Sequence, residues 1–353
     1  MFRTRITELF GIKHPILLAG MNQVTHPELV AAVSNAGGLG VLAISGLTLD
    51  QTRKYIRDIR KLTDKPFGIN QALIRPLAKE KIDIAIEEKV RVVCYSLGKP
   101  WFMDRVHAYG GKVVGSVAMS KHATKAAELG VDALIVTGHE AAGHGGSVTS
   151  LVLIPVVASV VKTPLIAAGG FSDGRGLAAA LALGAEAVSM GTRFMVTKEC
   201  RVKEPFKQLI LRATEEDTFY SAVFDGLPSR VLKSQASEEM MSHKGFHLSD
   251  WISSGLAVKR MMNLSWWEFL QTSWRMRKGE ERLGLIQQAL LADHVTRQGK
   301  AIEGDVAEGI LVAGQSSGGV KDIPTCQELV DRIVAEAEEV LNEVRSKMVS
   351  KSQ

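Results

Sequence analysis

Two glycine turns and one histidine-bearing loop follow three consecutive apolar runs in the middle of the chain. Gly169-Gly170 ends one of these runs, and Gly191-Thr192 ends the next. Glycine has no Cβ, so backbone N–H groups in such turns approach a ligand closely, and converging N–H donors are what a phosphate group requires. Two of these turns side by side predict a site for one phosphate.

The third run precedes a glycine-rich loop, 138–146, that carries two histidines. His144 stands between Gly143 and Gly145, which predicts a side chain exposed to a ligand rather than one packed in a core. Near neutral pH such a histidine can act as a general base, a general acid or a hydrogen-bond donor, and the residues alone do not choose among these roles. His139 lies next to the strand end, where a structural role is the expectation. No carboxylate spacing typical of metal ligands surrounds the two histidines, so no metal site is predicted.

Eight short β-rich runs alternate with helix-compatible segments and must position these turns. The predicted strands are 15–21, 39–45, 66–72, 90–96, 112–117, 133–138, 164–170 and 187–192. The predicted helices include 27–36, 49–62, 79–88, 121–129, 151–161 and 174–183, with 203–211 as the candidate for the last barrel helix. Such alternation is the pattern of a parallel sheet, and eight strands of it predict an α/β fold, a closed TIM (β/α)8 barrel.

A doubly wound open sheet is the alternative fold. It usually carries G-x-G-x-x-G after its first strand, whereas Gly20 is followed here by Met21, Asn22 and Gln23. In a barrel, active sites lie at the carboxyl ends of the strands, and phosphate commonly binds to the loops after strands seven and eight. Those loops are the two glycine turns, so the barrel also explains why the turns would be neighbours.

The composition excludes several classes of protein. A chain of 353 residues with 46% hydrophobic and 23% charged residues is typical of a soluble globular protein, and no apolar run reaches the roughly 18 to 20 residues that cross a bilayer. The formal charge of +5 comes from scattered basic residues, which argues against nucleic-acid binding. The first residues lack the hydrophobic run of a secretory signal, and Cys94, Cys200 and Cys326 lack disulfide or zinc spacing. We therefore expect a cytoplasmic protein with buried thiols that acts on a small molecule.

The alternation stops after strand eight, and residues 235–300 read as helices rich in methionine and tryptophan. We divide the chain into a barrel, 1–214, a helical insertion, 215–308, and a return to the barrel with a C-terminal helix, 309–353. Two roles for the insertion stay open, burial of its large apolar side chains against the barrel or a lid over an apolar substrate. Thr325 and Glu328 form a capping box that predicts the start of the last helix, on the outside of the barrel.

Seven motifs resemble those of the nitronate monooxygenase (2-nitropropane dioxygenase) family. They are PILLAGM (15–21), NAGGLG (35–40), PFGIN (66–70), EAAGHGG (140–146), AAGGFSDGRG (167–176), MGTRF (190–194) and GQS (314–316). The resemblance extends to the related flavin-dependent enoyl-acyl-carrier-protein reductases, to which TRITEL (4–9) and LTDKPFG (62–68) are similar in particular.

The resemblance implies an FMN-binding barrel. The cofactor-binding residues that it carries over to this chain are Ala19, Gly20, Met21, Asn70, Gly143, Gly169, Gly170, Met190, Gly191, Thr192, Gln315 and Ser316. The two glycine turns among these would hold the flavin phosphate. His144 matches the family histidine that takes the proton α to a nitro group, or hydrogen-bonds a substrate oxyanion, beside the flavin.

Members of the family differ in their substrates. Oxidation of alkyl nitronates with O2 is the leading prediction, and the alternative is NAD(P)H-dependent reduction of an enoyl thioester, carried on CoA or acyl-carrier protein, or of a quinone. Five basic residues of the insertion would then meet the carrier phosphates, or else form a solvated helix face: Lys259, Arg260, Arg275, Arg277 and Lys278. A third alternative is a barrel that binds a phosphorylated ligand without catalysis. The sequence leaves open whether NAD(P)H is a co-substrate and whether the protein is a homodimer.

Overall fold

Eight parallel strands close into a barrel in the computed structural model, which describes residues 2–242 and 285–348 together with residues 256, 259, 265–267, 270, 271 and 274. The strands are β1 (Ile16–Leu18), β2 (Gly40–Ala43), β3 (Phe67–Ala72), β4 (Val92–Ser96), β5 (Lys112–Val117), β6 (Ala133–Thr137), β7 (Leu165–Ala168) and β8 (Ala187–Met190). They pair in the order β1-β8-β7-β6-β5-β4-β3-β2. Leu39 closes the ring, since its N–H donates to Ile16 O at 2.9 Å and its carbonyl accepts from Leu18 N–H at 3.0 Å. The predicted TIM barrel is confirmed.

Helices separate the strands and continue after the last one. Those of the described chain are α1 (Arg5–Phe10), α2 (Pro27–Asn35), α3 (Leu49–Leu62), α4 (Ala78–Glu87), α5 (Met103–His107), α6 (Ser120–Glu128), α7 (Ser150–Val160), α8 (Gly174–Ala182), α9 (Thr192–Met195), α10 (Glu204–Arg212), α11 (Gln235–Ser242), α12 (Leu285–Ile302) and α13 (Cys326–Ser346). A 3-10 helix spans Gln315–Gly319. The six helices predicted between strands are all present, within one residue of their predicted ends.

Helix α3 shows how local sequence sets these boundaries. Thr48 accepts a hydrogen bond from the Gln51 N–H, and the Gln51 side chain accepts one from the Thr48 N–H, which completes a capping box. Thr52, Ile56 and Ile59 are the buried residues of the helix. Their spacing of four and three residues places them on one face, which packs on the barrel.

The interior of the barrel is filled at its amino-terminal end. Strand residues such as Leu17, Val114 and Ile166 form one buried cluster with Ile6 and Phe10 of α1. Helix α1 therefore plugs the bottom of the barrel. The opposite end, where the strands reach their carboxyl termini, remains available for a ligand.

The segment predicted as a helical insertion begins with a hairpin instead. Strands β9 (Thr218–Ser221) and β10 (Ser229–Leu232) pair in antiparallel fashion, and helices α11 and α12 follow. The connecting residues 222–228 are longer than the two-residue turns by which hairpins are recognised in sequences. Within the tryptophan-rich part, Trp251 and most of its neighbours lie outside the described residues, whereas Trp266, Trp267 and Trp274 are exposed.

The C-terminal helix α13 packs against α8 and α2 on the outside of the barrel, as predicted. Its capping box of Thr325 and Glu328 is present. At the start of α8 the Gly174 N–H donates to Glu336 at 2.8 Å, and a Cβ on Gly174 would lie 2.5 Å from Ala337 N, so the contact requires glycine. The three cysteines are buried free thiols. Among the described helices, none combines the length and the apolar character needed to cross a membrane.

Candidate active site

A cavity of about 1510 Å³ opens at the carboxyl ends of the barrel strands. Loops after all eight strands contribute to its wall, together with residues of α12 and of the 3-10 helix. This is the end of a TIM barrel that carries active sites. Small-molecule sites usually measure about 300 to 1,000 Å³, so this cavity has room for a cofactor and a substrate together.

The glycine turn after β7 forms a cradle that only glycine fits. Gly169 and Gly170 have φ angles of +96° and +87°, in the left-handed region that favours glycine. A Cβ on Gly169 would lie 3.1 Å from both Ala141 N and Gly138 O. Neither turn N–H donates a hydrogen bond to another described backbone group. These bare N–H groups at the cavity wall fit the phosphate of a flavin.

The turn after β8 is held against the 3-10 helix. The Gly314 N–H donates to Thr192 Oγ1 at 3.0 Å, and a Cβ on Gly314 would lie 2.7 Å from Glu140 O. The Gln315 N–H donates to the same Glu140 carbonyl at 3.0 Å. The return segment near residue 314 is thus fixed to both the β8 turn and the histidine loop.

The loops after β1 and β3 build the neighbouring wall. A Cβ on Gly20 would lie 2.6 Å from Asn70 Cβ, and one on Gly191 would lie 3.3 Å from Met21 Sδ. The structure therefore brings the predicted cofactor-binding residues of β1, β3 and β8 together in space.

Most of the sequence-predicted site residues line the cavity. They are Ala19, Gly20, Met21, Asn70, Gly143, His144, Gly169, Gly170, Gly191, Thr192 and Ser316. Met190 and Gln315 lie outside its lining. Met190 is buried within β8, and the Gln315 side chain reaches Glu215 O at 3.5 Å.

His144 is paired with a buried carboxylate that the sequence did not indicate. Its Nε2 lies 2.7 Å from Oδ2 of Asp225, whose side chain is 4% exposed against 30% for the histidine. Burial by itself raises the pKa of Asp225, but the hydrogen bond and charge of His144, together with the charge of His294 and the hydrogen bond from the Leu227 N–H, outweigh it and lower that pKa below its usual value. Asp225 is therefore a carboxylate at neutral pH and accepts the Nε2 proton. Nδ1 is then the nitrogen of neutral His144 that can take a proton.

The β9–β10 hairpin fixes both partners of this pair. The other Asp225 oxygen accepts from the Leu227 N–H at 3.1 Å, so the carboxylate is oriented by its own turn. Tyr220 of β9 donates its hydroxyl proton to Gly145 O at 2.8 Å, and the Arg230 N–H of β10 donates to Ala142 O at 3.0 Å. The hairpin thus clamps the loop on both sides of His144.

Besides His144, the cavity is lined by His122 of α6 and by His294 of α12, and His139 lies in the same loop as His144. The His139 ring packs edge-on to Tyr220, with centroids 4.4 Å apart, and its Nδ1 contacts Gly146 O, which fits the expected structural role. His294 of α12 lines the cavity and was not predicted. Its Nδ1 has no hydrogen-bond partner among the described residues, and burial lowers its pKa to about 4, so the imidazole is neutral at physiological pH.

Asp225 and His294 could not be found from local sequence signals. Asp225 lies 81 residues from His144 in the chain, on a hairpin without a recognised turn motif. His294 sits in an ordinary helical segment. Only the three-dimensional arrangement brings these groups into one cavity.

A histidine on a buried carboxylate, next to two glycine turns in the mouth of a TIM barrel, fits an enzyme that binds a phosphorylated cofactor. The family model described as "Nitronate monooxygenase" matches residues 3–81 and 75–336. The chain therefore belongs to the nitronate monooxygenase family and is an oxidoreductase of that flavin-dependent family.

Relatives within the family have different activities. A (3aS,4S,5R,7aS)-5-hydroxy-7a-methyl-1-oxo-octahydro-1H-indene-4-carboxyl-CoA dehydrogenase of Rhodococcus jostii (strain RHA1) is 40% identical over 341 residues, which is 95% of this chain and 96% of that protein. A probable nitronate monooxygenase of Staphylococcus aureus (strain Newman) is 31% identical over 290 residues, covering 69% of this chain and 82% of that protein. The solved structure of FabK from Thermotoga maritima has a TM-score of 0.82 and 35% identity, covering 99% of this chain and 100% of that chain.

Proposed function

We propose that the protein is an FMN-dependent oxidoreductase that transfers hydride between a CoA thioester and the flavin. The observation that carries the proposal is the His144–Asp225 pair in a cavity of about 1510 Å³, larger than the roughly 300 to 1,000 Å³ of a usual small-molecule site. The 40% identity over nearly the whole chain to the Rhodococcus jostii protein, whose name is that of an indene-carboxyl-CoA dehydrogenase, supports the choice of a CoA thioester as substrate.

The glycine cradle would bind the cofactor, and the His144–Asp225 pair would transfer the proton. The cradle of Gly169, Gly170, Gly191 and Thr192 binds the flavin phosphate through backbone N–H groups, and FMN supplies the two-electron hydride chemistry when bound. His144 Nδ1 accepts the proton that leaves the substrate as the hydride departs, or returns it in the opposite direction. Asp225 keeps the Nε2 proton in place and stabilises the imidazolium that forms.

Anaerobic absorbance spectroscopy of the flavin-loaded protein tests this function. We expect one or more acyl-CoA substrates, or an enoyl-CoA added after NAD(P)H reduction, to change the flavin spectrum stoichiometrically. A His144→Ala variant should retain the flavin and lose the substrate-dependent change. If no thioester alters the spectrum while an alkyl nitronate bleaches it, the thioester proposal is wrong.

Oxidation of alkyl nitronates with O2 is the second candidate. The same Nδ1 of His144 is available to take the proton α to a nitro group, and the 31% identity to a probable nitronate monooxygenase favours this chemistry. Bleaching by the nitronate that air reverses would establish it.

The use of NAD(P)H, a homodimer and a cytoplasmic location stay predictions, and stopped-flow reduction by NADH and NADPH, analytical ultracentrifugation and cell fractionation test them in turn.

A further inference from the structure

Four basic side chains gather on one side of the cavity mouth. Arg75 follows β3, Lys79 lies in the first turn of α4, Lys99 follows β4, and Lys125 lies on α6. All four line the cavity, and we call them the basic rim. Glu80 is the one carboxylate of the lining on these same loops, so the rim carries a net positive charge.

The basic rim lacks the counter-ions that other basic clusters of this protein have. Arg53, Arg57 and Arg60 of α3 each form an ion pair with Glu88. Within the described residues, by contrast, no carboxylate lies within ion-pair distance of any member of the rim, and the Asp225 carboxylate acts on Arg75 only from beyond that distance. Like charges held together without partners repel one another, and at the mouth of a cavity they attract an anionic ligand.

An exposed aromatic side chain stands among these charges. Trp101, two residues after Lys99, lines the cavity and is 50% exposed. It packs edge-on against Phe102 with ring centroids 5.5 Å apart, which holds the indole while leaving surface open to the cavity. Exposed tryptophan next to cationic side chains is the combination that binds a phosphorylated nucleotide, because a base stacks on the ring and phosphates pair with the cations.

The basic rim lies across the barrel from the flavin phosphate cradle. The cradle follows β7 and β8, whereas the rim belongs to the loops after β3, β4 and β5, and β4 is half a turn of the eight-stranded ring from β8. The cavity thus has two separate places for phosphate, one at each side of its mouth. One flavin mononucleotide accounts for only the first.

We propose that the basic rim and Trp101 bind the phosphorylated ADP unit of the substrate's CoA carrier, with the phosphates on Arg75 and the lysines and the adenine on Trp101. This inference rests on the proposed function and deepens it, because it assigns the end of the substrate that does not react. The pantetheine arm then runs inward from the rim toward His144. NADPH carries the same chemistry in a 2′-phosphorylated ADP unit, so the test must separate the two sources.

The test measures binding rather than turnover, on the flavin-loaded full chain. Isothermal titration compares CoA, dephospho-CoA and 2′,5′-ADP as probes. The rim variant is the double charge reversal Lys99→Glu and Lys125→Glu, and its matched control is Lys121→Glu, on the same helix as Lys125 but outside the cavity lining. A Trp101→Ala variant tests the stacking, and thermal melting of each variant checks that it is folded.

We expect CoA to bind more tightly than dephospho-CoA, and the rim variant to weaken CoA roughly tenfold or more. Trp101→Ala should weaken it roughly fivefold or more, and Lys121→Glu should leave it within about twofold. Binding of 2′,5′-ADP with the same dependence, and none of CoA, would support a phosphorylated-ADP site and overturn CoA as its occupant. Equal CoA affinity in all folded variants would overturn the whole inference.

These outcomes differ from a failure of the proposed function. If CoA binds through the basic rim but no acyl-CoA changes the flavin spectrum, the reaction is wrong and the nucleotide site stands. If acyl-CoA reduces the flavin equally well in the rim variant and the wild type, with equal KM, the reaction stands and the site is wrong.

Discussion

Replacement of Asp225 by asparagine separates the role of the carboxylate from that of the histidine. The substitution keeps the shape of a side chain that is 4% exposed but removes the charge that His144 faces at 2.7 Å. A hydrogen bond to a charged group contributes about 1.5–3 kcal/mol, and about 1.36 kcal/mol corresponds to a tenfold change in rate. We therefore expect flavin reduction by substrate to slow by roughly 10- to 150-fold.

The assay is stopped-flow measurement of flavin reduction at saturating substrate. Flavin content and substrate affinity should stay near the wild-type values, since Asp225 does not belong to the phosphate cradle. The wild type should reduce its flavin faster than the variant at every pH above the lowered pKa of Asp225. This difference in rate should disappear as the pH falls through that pKa, because the carboxylate then gains its proton.

The chain offers a close control. Asp132 lies 2.7 Å from Nε2 of His107 on the outside of the barrel, the same kind of pair at the same distance. Asp132→Asn should reduce stability without slowing flavin reduction. A rate for Asp225→Asn within about twofold of wild type, with flavin retained, would refute the view that His144 acts as a carboxylate-supported base.

Three further predictions concern the cradle, the clamp and the buried histidine. Gly169→Ala forces a Cβ into a left-handed backbone and should weaken flavin binding at least about tenfold by fluorescence titration, while Gly46→Ala, which also lines the cavity but meets open space, should leave it unchanged. Tyr220→Phe removes one hydrogen bond from the His144 loop and should slow flavin reduction roughly 2- to 13-fold, whereas Tyr109→Phe loses a similar bond elsewhere in the barrel and should cost only stability. His294 has a pKa of about 4 in the folded protein and 6.5 in the unfolded chain, so the unfolded chain binds the proton more tightly. As the pH falls from 6.5 to 4, protonation of His294 should therefore lower the free energy of unfolding by about 3 kcal/mol. Urea unfolding at pH 7 and pH 5 should show a smaller acid loss in His294→Leu, and an equal loss in both proteins would refute the buried neutral imidazole.

The fold was predictable because its signals are local. Helix α3 and strand β5 have the ends that the alternation of apolar runs and helix-compatible segments predicts, and in α3 a capping box at Thr48 and a buried stripe agree with those ends. Each of the other strands is one to three residues shorter than predicted at its start, at its end or at both, since an apolar run continues beyond the ladder hydrogen bonds.

The site was predictable only where it consists of backbone turns and a loop histidine. The glycine cradle and His144 lie within short recognisable motifs. Asp225, by contrast, lies on a hairpin whose connecting residues, 222–228, contain no turn motif that would predict it. The sequence leaves open whether five basic residues of the insertion meet the carrier phosphates or form a solvated helix face. Of these only Lys259 lies among the described residues, where its Nζ is 4.8 Å from the Trp266 ring centroid. The basic rim forms no sequence motif, because its members follow three different strands, on loops and on the helices α4 and α6.

The clamp on the histidine loop has a consequence for engineering of this enzyme. His144 lies on the loop after barrel strand β6, but its partner Asp225 lies on the β9–β10 hairpin, a later segment of the chain. Transplanting the loop after β6 into another barrel would carry over a histidine without its support. Loop and hairpin therefore form one transferable unit, and chimeras that exchange both together should tolerate wide variation in the helices that follow.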